Sequence, residues 1–197
     1  MMITADLVKR LRDMTGAGMM ECKKALSETS GDIEKAVDAL RKSGIAKAEK
    51  RADRAASQGR VDSYIHDGRL GVLVEINCET DFVARTDDFK ALCKDIAMQA
   101  AAAGADYVRR EEVPAERIAR ERDIYAAQME GEKKPANIME KILDGKVNKF
   151  YSEICLLEQP FIKDDKKTVN DLVKETAAKT GENIVVRRFV RFRLGAE

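Results

Sequence analysis

The chain has 197 residues, enough for one ordinary core and a small second domain, so one or two domains are expected. Because 36 lysines and arginines balance 35 acidic residues, the net charge of +1 excludes a general electrostatic attraction to nucleic acid or to an anionic membrane. No segment approaches the roughly 20 apolar residues of a membrane span, and charges interrupt the N-terminal segment before a signal-peptide core forms, so we expect a cytoplasmic protein without a membrane partner.

Three short helical patterns occupy the beginning of the chain. Thr4 can cap the first. The second starts near Met19, which lies on its apolar stripe, and the third is capped by Asp32 and should end at Gly44. These patterns predict a three-helix module over residues 1–45. The alanine-rich, charged segment 46–59 is then expected to be a helical linker.

A β-hairpin opens the second predicted domain, an α+β core over residues 60–197. Its strands flank Asp67-Gly68, a dipeptide that tolerates the positive φ angles of a tight turn. His66, the only histidine of the chain, precedes this turn. A multi-histidine metal site is therefore excluded, and a solvated turn side chain is the favoured interpretation.

Amphipathic segments follow the hairpin. Thr86 is placed to cap a long helix, and a charged helix should run from Pro114 to about Gly131. Two shorter helical segments come next, separated by a stop at Gly145. The sequence LLEQPFI, residues 156–162, has an extended pattern, and a last helix should begin after Thr168 and end at Gly181.

The C-terminal stretch ENIVVRRFVRFRLG, residues 182–195, alternates apolar and basic side chains and is predicted to be a long strand. Its apolar face is expected to carry Ile184, Val186, Val190, Phe192 and Leu194. Such a strand needs a neighbour from its own sheet or from a second subunit. Contact with RNA through RRFVRFR is a less favoured alternative, because arginines that alternate with a buried face usually form a solvated sheet surface.

The sequence offers little to catalytic chemistry. Its four cysteines match no redox or zinc spacing and are expected to be reduced, buried thiols, at positions Cys22, Cys78, Cys93 and Cys155. It has no phosphate-binding loop, no nucleophile elbow and no HExxH sequence. We therefore nominate no catalytic residue, metal ligand or cofactor, and a binding or regulatory protein is favoured over an enzyme.

Phe82 stands in a polar turn, NCETDFVAR, between the hairpin and the helix that follows. Phe82 lies seven positions before Phe89, so an unbroken helix would place it on the buried apolar stripe, and the pattern alone favours this interpretation. Thr80, Asp81 and Thr86 are all capping residue types, and they instead favour a short turn that directs the ring outward. An exposed aromatic ring at such a corner would be an anchor for a partner.

Four segments closely resemble the bacterial elongation factor Ts family, in its short form, and they occur in the family's order: TGAGMMECKKAL at 15–26, GDIEKAVDALRKSG at 31–44, NCETDFVAR at 77–85 and GENIVVRRF at 181–189. The resemblance implies a fold in which an N-terminal three-helix module, similar to ubiquitin-associated domains, precedes an α+β core with an antiparallel sheet packed with helices. It also implies that the protein is a guanine nucleotide exchange factor for elongation factor Tu. The protein would bind both the GDP-bound form and the nucleotide-free form of elongation factor Tu.

The resemblance further implies which residues meet the partner. Those that would insert near the magnesium site of elongation factor Tu are Thr80, Asp81, Phe82 and Val83. Those of the N-terminal module that would contact its nucleotide domain are Arg12, Met19 and Met20. For Asp81 two roles stay open, an N-cap or a negative charge near the metal, and for Met19 a position in the core is an equal alternative.

The short form of the family is similar to half of a symmetric dimer, so we expect a homodimer. The charged helices over 114–154 and the C-terminal strand are the candidate interface. Some short relatives link their subunits by a disulfide near the chain end, but the final strand has no cysteine, Val190 included, which favours a noncovalent dimer. Two rival classes are an RNA-binding accessory protein and a ubiquitin-type binding module.

Overall fold

The computed structural model describes residues 3–129 and 135–196, which fold into two compact units. The first unit contains the residues up to Arg60, Ile76–Leu92 and Asp171–Val185, and the second contains Val61–Glu75, Cys93–Asn170 and the residues from Val186 onward. Each unit is thus built from segments that are distant in sequence. The predicted boundary near residue 60 coincides with one of several crossings between the units.

Eight α-helices and five strands form the regular structure of the described residues, together with 3₁₀ turns at 110–112 and 156–158. In chain order these elements are α1 (Ala5–Thr15), α2 (Met19–Glu28), α3 (Ile33–Glu49), β1 (Gln58–His66), β2 (Leu70–Cys78), α4 (Asp81–Ala84), α5 (Asp87–Ala103), α6 (Ala115–Gln128), α7 (Ala136–Ile154), β3 (Pro160–Phe161), β4 (Asp164–Thr168), α8 (Val169–Thr180) and β5 (Val185–Arg193). The predicted α+β class is confirmed.

The first three helices form the N-terminal part of the first unit. Thr4 Oγ1 accepts a hydrogen bond from the backbone N of Leu7 at 3.3 Å, and the Asp32 carboxylate accepts one from the backbone N of Lys35 at 3.1 Å. These N-caps begin α1 and α3 where the sequence predicts them. The apolar stripes of the three helices form one core cluster, with Val8, Leu11, Cys22, Ala25, Leu26 and Ala36 as its buried members.

Helix α3 continues beyond its predicted end. Gly44 lies inside the helix, and a Cβ atom added to it would come within 2.9 Å of the Cβ of Ala178 in α8. Gly44 therefore marks the close approach of two helices and is not a stop signal. The predicted helical linker over 46–59 is wrong beyond Glu49, because turns follow and β1 begins at Gln58.

Ion pairs connect α8 to two other elements of the first unit. Lys174 Nζ lies 2.6 Å from Glu49 Oε1 of α3, and Lys179 Nζ lies 2.6 Å from Asp88 Oδ1 at the start of α5. Helix α8 ends at Gly181, whose φ of +79° is the left-handed conformation that glycine adopts readily, as predicted. The residues that follow Gly181 are thereby directed away from the helix axis.

A three-stranded sheet in the order β1-β2-β5 dominates the second unit, although the ends of these strands belong to the first. Asp67 and Gly68 have φ angles of +49° and +65°, which confirms the predicted tight turn. Leu194 N donates to Arg69 O at 2.8 Å, and Arg188 Nε lies 2.7 Å from Glu75 Oε2. Because these contacts run in opposite directions along the chain, β5 is antiparallel to β2.

The expected burial of β5 is only partly correct. Ile184 and Val186 are buried, as predicted, but Val190, Phe192 and Leu194 are exposed, with Phe192 66% exposed. On β2, Val72 and Val74 are buried while the alternating residue Leu73 is exposed. Val190 lies opposite Leu73 in the antiparallel register, so the apolar alternation of β5 continues on the sheet face that carries Leu73.

Helices α6 and α7 pack against each other in the second unit. The expected stop at Gly145 is wrong, because α7 is one helix from Ala136 to Ile154. A Cβ atom at Gly145 would meet nothing within 4 Å, so this glycine neither caps the helix nor permits a close contact. The free energy gained by burying the side chains of Val147, Phe150 and Ile154 exceeds the cost of about 1 kcal/mol for one glycine in a helix.

The start of α6 agrees with prediction except that Pro114 occupies the N-cap and not the first helical turn. Its expected end at Gly131 lies outside the described residues. The prediction of an extended segment at 156–162 is wrong in its first half, where a 3₁₀ turn precedes β3. The buried Gln159 side chain explains the turn, because its Nε2 donates to the carbonyl oxygens of Ala103 at 3.3 Å and Glu153 at 2.9 Å.

The remaining predictions concern single side chains. The four cysteines are unbonded to one another and buried, as expected. His66 is exposed at the hairpin turn, 3.6 Å from the carboxylate of Asp67.

Within the described residues no helix combines the length and hydropathy needed to cross a bilayer, and no group of three or more histidine, cysteine and acidic side chains is placed to hold a metal ion.

Candidate functional site

The segment after β2 forms a short, capped corner in the first unit. Thr80 has an extended backbone, and its Oγ1 accepts a hydrogen bond from the backbone N of Val83 at 3.4 Å, which begins the four-residue helix α4. The chain then turns again, and Thr86 Oγ1 accepts from the backbone N of Phe89 at 3.3 Å. Thr80 therefore caps α4, and Thr86 caps α5 and separates it from α4.

Phe82 projects from this corner with 80% of its surface exposed. The pattern-based interpretation that placed it on the buried stripe of a continuous helix is wrong, because the second cap interrupts the helix between Phe82 and Phe89. Phe89 is fully buried and Ala84 is the buried residue of α4, so both ends of the corner are anchored in the core while the Phe82 ring stays in solvent. A large aromatic surface left in water on an anchored corner is typical of a binding hot spot.

The neighbours of Phe82 have separate roles. The Asp81 carboxylate pairs with the Arg85 guanidinium at 2.8 Å on the exposed side of the corner. Thr80, and not Asp81, supplies the N-cap of α4, so the capping alternative for Asp81 is not realised and the alternative of a charge near the metal stays a prediction. The charge of Asp81 stays at the solvent-facing end of the corner, beside an aromatic ring, and Val83 is half-buried next to it.

Two residues that the sequence analysis missed hold the start of this corner. The Glu182 carboxylate accepts hydrogen bonds from the backbone N atoms of Glu79 and Thr80, both at 3.0 Å, and from Thr80 Oγ1 at 2.6 Å. Asn183 N donates to Glu79 Oε1 at 2.7 Å. These partners are more than 100 positions apart, so no local pattern predicts the contacts. The one signal in the sequence is that two polar residues follow the glycine that ends α8.

The thiol of Cys78 also belongs to the corner. Its Sγ donates to the carbonyl oxygen of Thr80 at 3.1 Å. Burial, with the negative charge of Glu182 adding to it, raises the pKa of the Cys78 thiol to about 11. The thiol therefore keeps its proton at neutral pH and serves as a hydrogen-bond donor to the corner, not as a nucleophile.

The predicted contact residues of the N-terminal module lie on its surface. Met19 is 57% exposed and Met20 75% exposed, both in the first turn of α2, so the core alternative for Met19 is wrong. Arg12 is exposed in the last turn of α1, close in sequence to Met14, which is 59% exposed. Methionine side chains adapt to irregular surfaces, and a group of exposed ones is typical of a contact surface.

The two predicted groups of site residues therefore occupy two places in one compact unit. Thr80, Asp81, Phe82 and Val83 are consecutive in the corner, whereas Arg12 lies in the last turn of α1 and the two methionines in the first turn of α2. Arg188 pairs with Glu75 on the exposed sheet face, and Arg191 lies against Gly104 at the end of α5.

Comparison with known proteins relates the whole chain to one family. The family model described as elongation factor TS matches residues 5–196. Elongation factor Ts of Heliobacterium modesticaldum is 62% identical over 195 residues, which cover 98% of this chain and 91% of that protein. Elongation factor Ts of Geobacter sulfurreducens is 61% identical over 196 residues, covering 99% and 91%. That of Coprothermobacter proteolyticus is 60% identical over 196 residues, covering 99% and 100%.

Proposed function

Because the chain belongs to the elongation factor Ts family, we propose that it is a guanine nucleotide exchange factor for elongation factor Tu and acts in translation elongation in the cytoplasm. One observation supports this best: Phe82 is 80% exposed on a corner whose two ends are capped and anchored. A ring presented in this way has no use in the chain's own core. It has the size and exposure of a side chain that enters a pocket of another protein.

The proposed mechanism begins with insertion of Thr80–Val83 beside the magnesium site of elongation factor Tu. Magnesium neutralises the phosphates of the bound GDP, so displacing the ion or its ligands weakens nucleotide binding by electrostatics. Burial of the Phe82 ring contributes on the order of 2 kcal/mol, which favours the partner conformation that binds GDP poorly. The Asp81 carboxylate next to the ring adds negative charge close to the displaced metal and the phosphates.

Thermodynamic linkage fixes the rest of the cycle. If the chain lowers the affinity of elongation factor Tu for GDP by some factor, GDP lowers the affinity of elongation factor Tu for the chain by the same factor. The chain therefore binds both the GDP form and the nucleotide-free form, and nucleotide reloading releases it. The chain needs no nucleotide site, cofactor or catalytic residue of its own for this cycle.

We propose that the exposed surface formed by Arg12, Met19 and Met20 holds the nucleotide domain of elongation factor Tu while the corner acts. The methionine side chains supply adaptable apolar contact, and Arg12 supplies a positive charge at its border. Two separate contacts on one compact unit give the partner a defined orientation. Once the module is bound, Phe82 is already oriented toward the magnesium site, which lowers the entropic cost of its insertion.

A homodimer is the second part of the proposal, and an apolar sheet face supports it. Its exposed members are Val61, Ile65, Leu73, Val190, Phe192 and Leu194. Leu73 and Val190 lie opposite each other, and Ile65 Cδ1 lies 3.0 Å from the position of a Cβ at Gly71, two residues from Leu73. A contiguous apolar face of this kind on a sheet is typical of an interface between subunits.

Release of a fluorescent GDP from elongation factor Tu tests the exchange function. We expect the natural chain to accelerate release, and Phe82→Ala to lower the acceleration about tenfold or more while its unfolding midpoint stays unchanged, because the exposed ring contributes nothing to the chain's own core. Ile162→Ala is the matched control, since it removes an exposed apolar side chain from the second unit. Equal loss in both variants would contradict the wedge role of Phe82, and no acceleration by the natural chain would contradict the exchange function.

A further inference from the structure

The loop after α8 contacts the corner through the Glu182 carboxylate, and both oxygens of this carboxylate accept hydrogen bonds. Glu182 accepts hydrogen bonds from the backbone N atoms of Glu79 and Thr80 through Oε2, and from the hydroxyl of Thr80 through Oε1. Hydrogen bonds to an ionised acceptor are roughly twice as strong as those between neutral groups. The side chain therefore fixes two successive peptide units immediately before α4.

Asn183 extends this contact to a third segment. Its backbone N donates to Glu79 Oε1 at 2.7 Å, and its Nδ2 donates to the carbonyl oxygens of Ala52 at 3.0 Å and Arg54 at 2.7 Å. Arg54 Nη1 in turn lies 3.5 Å from Glu79 Oε1. The side chain of Asn183 is buried, so these hydrogen bonds are protected from water. Glu182 and Asn183 thus join the segment after α3 to the start of the corner.

We propose that Glu182 and Asn183, called the bracket below, are positioning residues that hold the corner in the conformation that presents Phe82 to a partner. This inference rests on the proposed function and assigns the bracket a role in it. The bracket acts through Thr80, whose hydroxyl it orients.

The geometry at Thr80 supports this role. A helix of four residues is not stable by itself, because nucleation costs more than its few hydrogen bonds return. Its only side-chain cap is Thr80 Oγ1, which both donates to Glu182 and accepts from the backbone N of Val83. Donation to Glu182 leaves the lone pairs of the hydroxyl oxygen free for Val83. Glu182 therefore selects the hydroxyl rotamer that caps α4 and so fixes the direction of the ring one residue after its start.

The bracket also explains how one partner meets both contact surfaces. The hydrogen bonds of Asn183 fix residues 52–54, which follow the N-terminal module directly. Ion pairs of Lys174 with Glu49 and of Arg41 with Glu175 hold α8, which directly precedes the bracket, against α3 of that module. The corner and the methionine surface are therefore ordered before a partner arrives, which lowers the entropic cost of binding.

A double-mutant cycle between Glu182 and Phe82 tests the proposal. We expect Glu182→Ala to lower kcat for GDP release about tenfold and to change KM for elongation factor Tu less than about threefold, because the module still binds while the corner is seldom in its active conformation. In a Phe82→Ala background the same change should cost no more than about twofold, because the corner no longer carries its ring. Glu182→Gln keeps one acceptor oxygen and should restore part of kcat.

Hydrogen exchange separates a positioning role from a simple loss of stability. Hydrogen exchange of the Glu79 and Thr80 amides in the free chain should be about tenfold faster in Glu182→Ala, whereas amides of α2 keep their rates. Glu153→Ala is the matched control, since it removes an exposed carboxylate that pairs with Lys149 in the second unit. If the alanine variant loses its fold, Glu182→Gln carries the same cycle.

The outcomes are distinct. Equal losses from Glu182→Ala in the natural and Phe82→Ala backgrounds would overturn the bracket, as would unchanged kcat in Glu182→Ala when Phe82→Ala is impaired; both leave the exchange function standing. If Phe82→Ala exchanges as fast as the natural chain, the wedge mechanism fails and the bracket fails with it. Loss confined to the natural background, with faster exchange of the two amides, supports the proposal.

Discussion

Cys78 contributes to the corner through a proton that it holds unusually tightly. Its Sγ donates to the Thr80 carbonyl at 3.1 Å, and burial raises the pKa of the thiol to about 11. Cys155 in the second unit has a pKa raised to about 11 for the same reason, with the charge of Glu158 adding to it. Both thiols are neutral in the folded chain at a pH where they would already have ionised in the unfolded chain.

We therefore expect the free energy of unfolding to fall between about pH 9 and pH 11. In this range the thiols lose their protons in the unfolded chain but keep them in the folded chain, so rising pH stabilises the unfolded chain. Each cysteine should account for about 1–3 kcal/mol of this loss. Urea unfolding at pH 8 and pH 10.5 measures it. Cys78→Ala lowers stability at both pH values but should show a smaller difference between them, and an unchanged difference would contradict the assigned pKa.

At the scale of single residues, the sequence predicts caps well and exposure poorly. The caps by Thr4, Asp32 and Thr86 follow from residue type and position, and all three hydrogen bonds are present. Helical spacing placed Met19 and Phe82 on apolar stripes, but both are exposed. Such spacing reports a buried face only where the helix is unbroken and something covers that face, and neither condition can be predicted from the spacing itself.

At the scale of elements, two glycines with the same sequence appearance have different surroundings. Gly44 in α3 and Gly145 in α7 both follow an amphipathic run, and both were interpreted as stops. A Cβ at Gly44 would come within 2.9 Å of the Ala178 Cβ, whereas a Cβ at Gly145 would meet nothing within 4 Å. The first glycine permits helix packing, and the second only weakens a helix.

We expect Gly145→Ala to raise the free energy of unfolding by about 0.5–1 kcal/mol, because alanine restricts the unfolded chain and fits the helix without contact. Gly44→Ala should instead lower it by about 1 kcal/mol or more, because the clash with α8 exceeds the gain in helix propensity. Urea denaturation of the two variants measures both changes. Stabilisation by both would contradict the close packing of α3 on α8, and destabilisation by Gly145→Ala would contradict the open environment of that residue.

The helices that depend on local signals could be predicted, whereas elements that depend on distant partners could not. Helices α1, α2 and α8 begin close to the positions that the sequence predicts, after Thr4, near Met19 and after Thr168. The 3₁₀ turn at 156–158 was missed, since it depends on the buried amide of Gln159 and its hydrogen bonds to Ala103, Glu153 and Gln99. No pattern within that segment encodes those partners.

At the scale of the whole molecule, the chain order conceals how the site is built. The first unit combines the N-terminal module with Ile76–Leu92 and Asp171–Val185, so the corner and the module lie in one compact unit although the sequence predicts separate domains for them. The candidate residues Phe82 and Met20 could be identified from the sequence through their resemblance to a family. Glu182 and Asn183 could not, because their role arises only when distant segments meet.

The expected homodimer stays a prediction, with the charged helices and the C-terminal strand as its candidate interface, and the exposed sheet face that includes β5 is the part we propose. A stable interface buries about 800 Å² on each partner, and Val61, Ile65, Leu73 and Phe192 together with their neighbours on β5 present a contiguous apolar area for it. The Arg188–Glu75 pair lies on the same face and can align two copies in one register. The charged helices α6 and α7 expose single apolar residues such as Ile138, so the sheet is the better interface.

Light scattering at micromolar concentration should therefore give twice the mass of one chain, and Phe192→Glu should give the mass of one chain, because a carboxylate buried in an apolar interface is not compensated. Ile138→Glu is the matched control on α7 and should remain dimeric. If Ile138→Glu dissociates and Phe192→Glu does not, the interface lies on the helices, and a natural chain that is monomeric at this concentration contradicts the dimer. GDP exchange by the Phe192→Glu monomer then measures whether one copy of the corner and module suffices, as their placement within a single compact unit predicts.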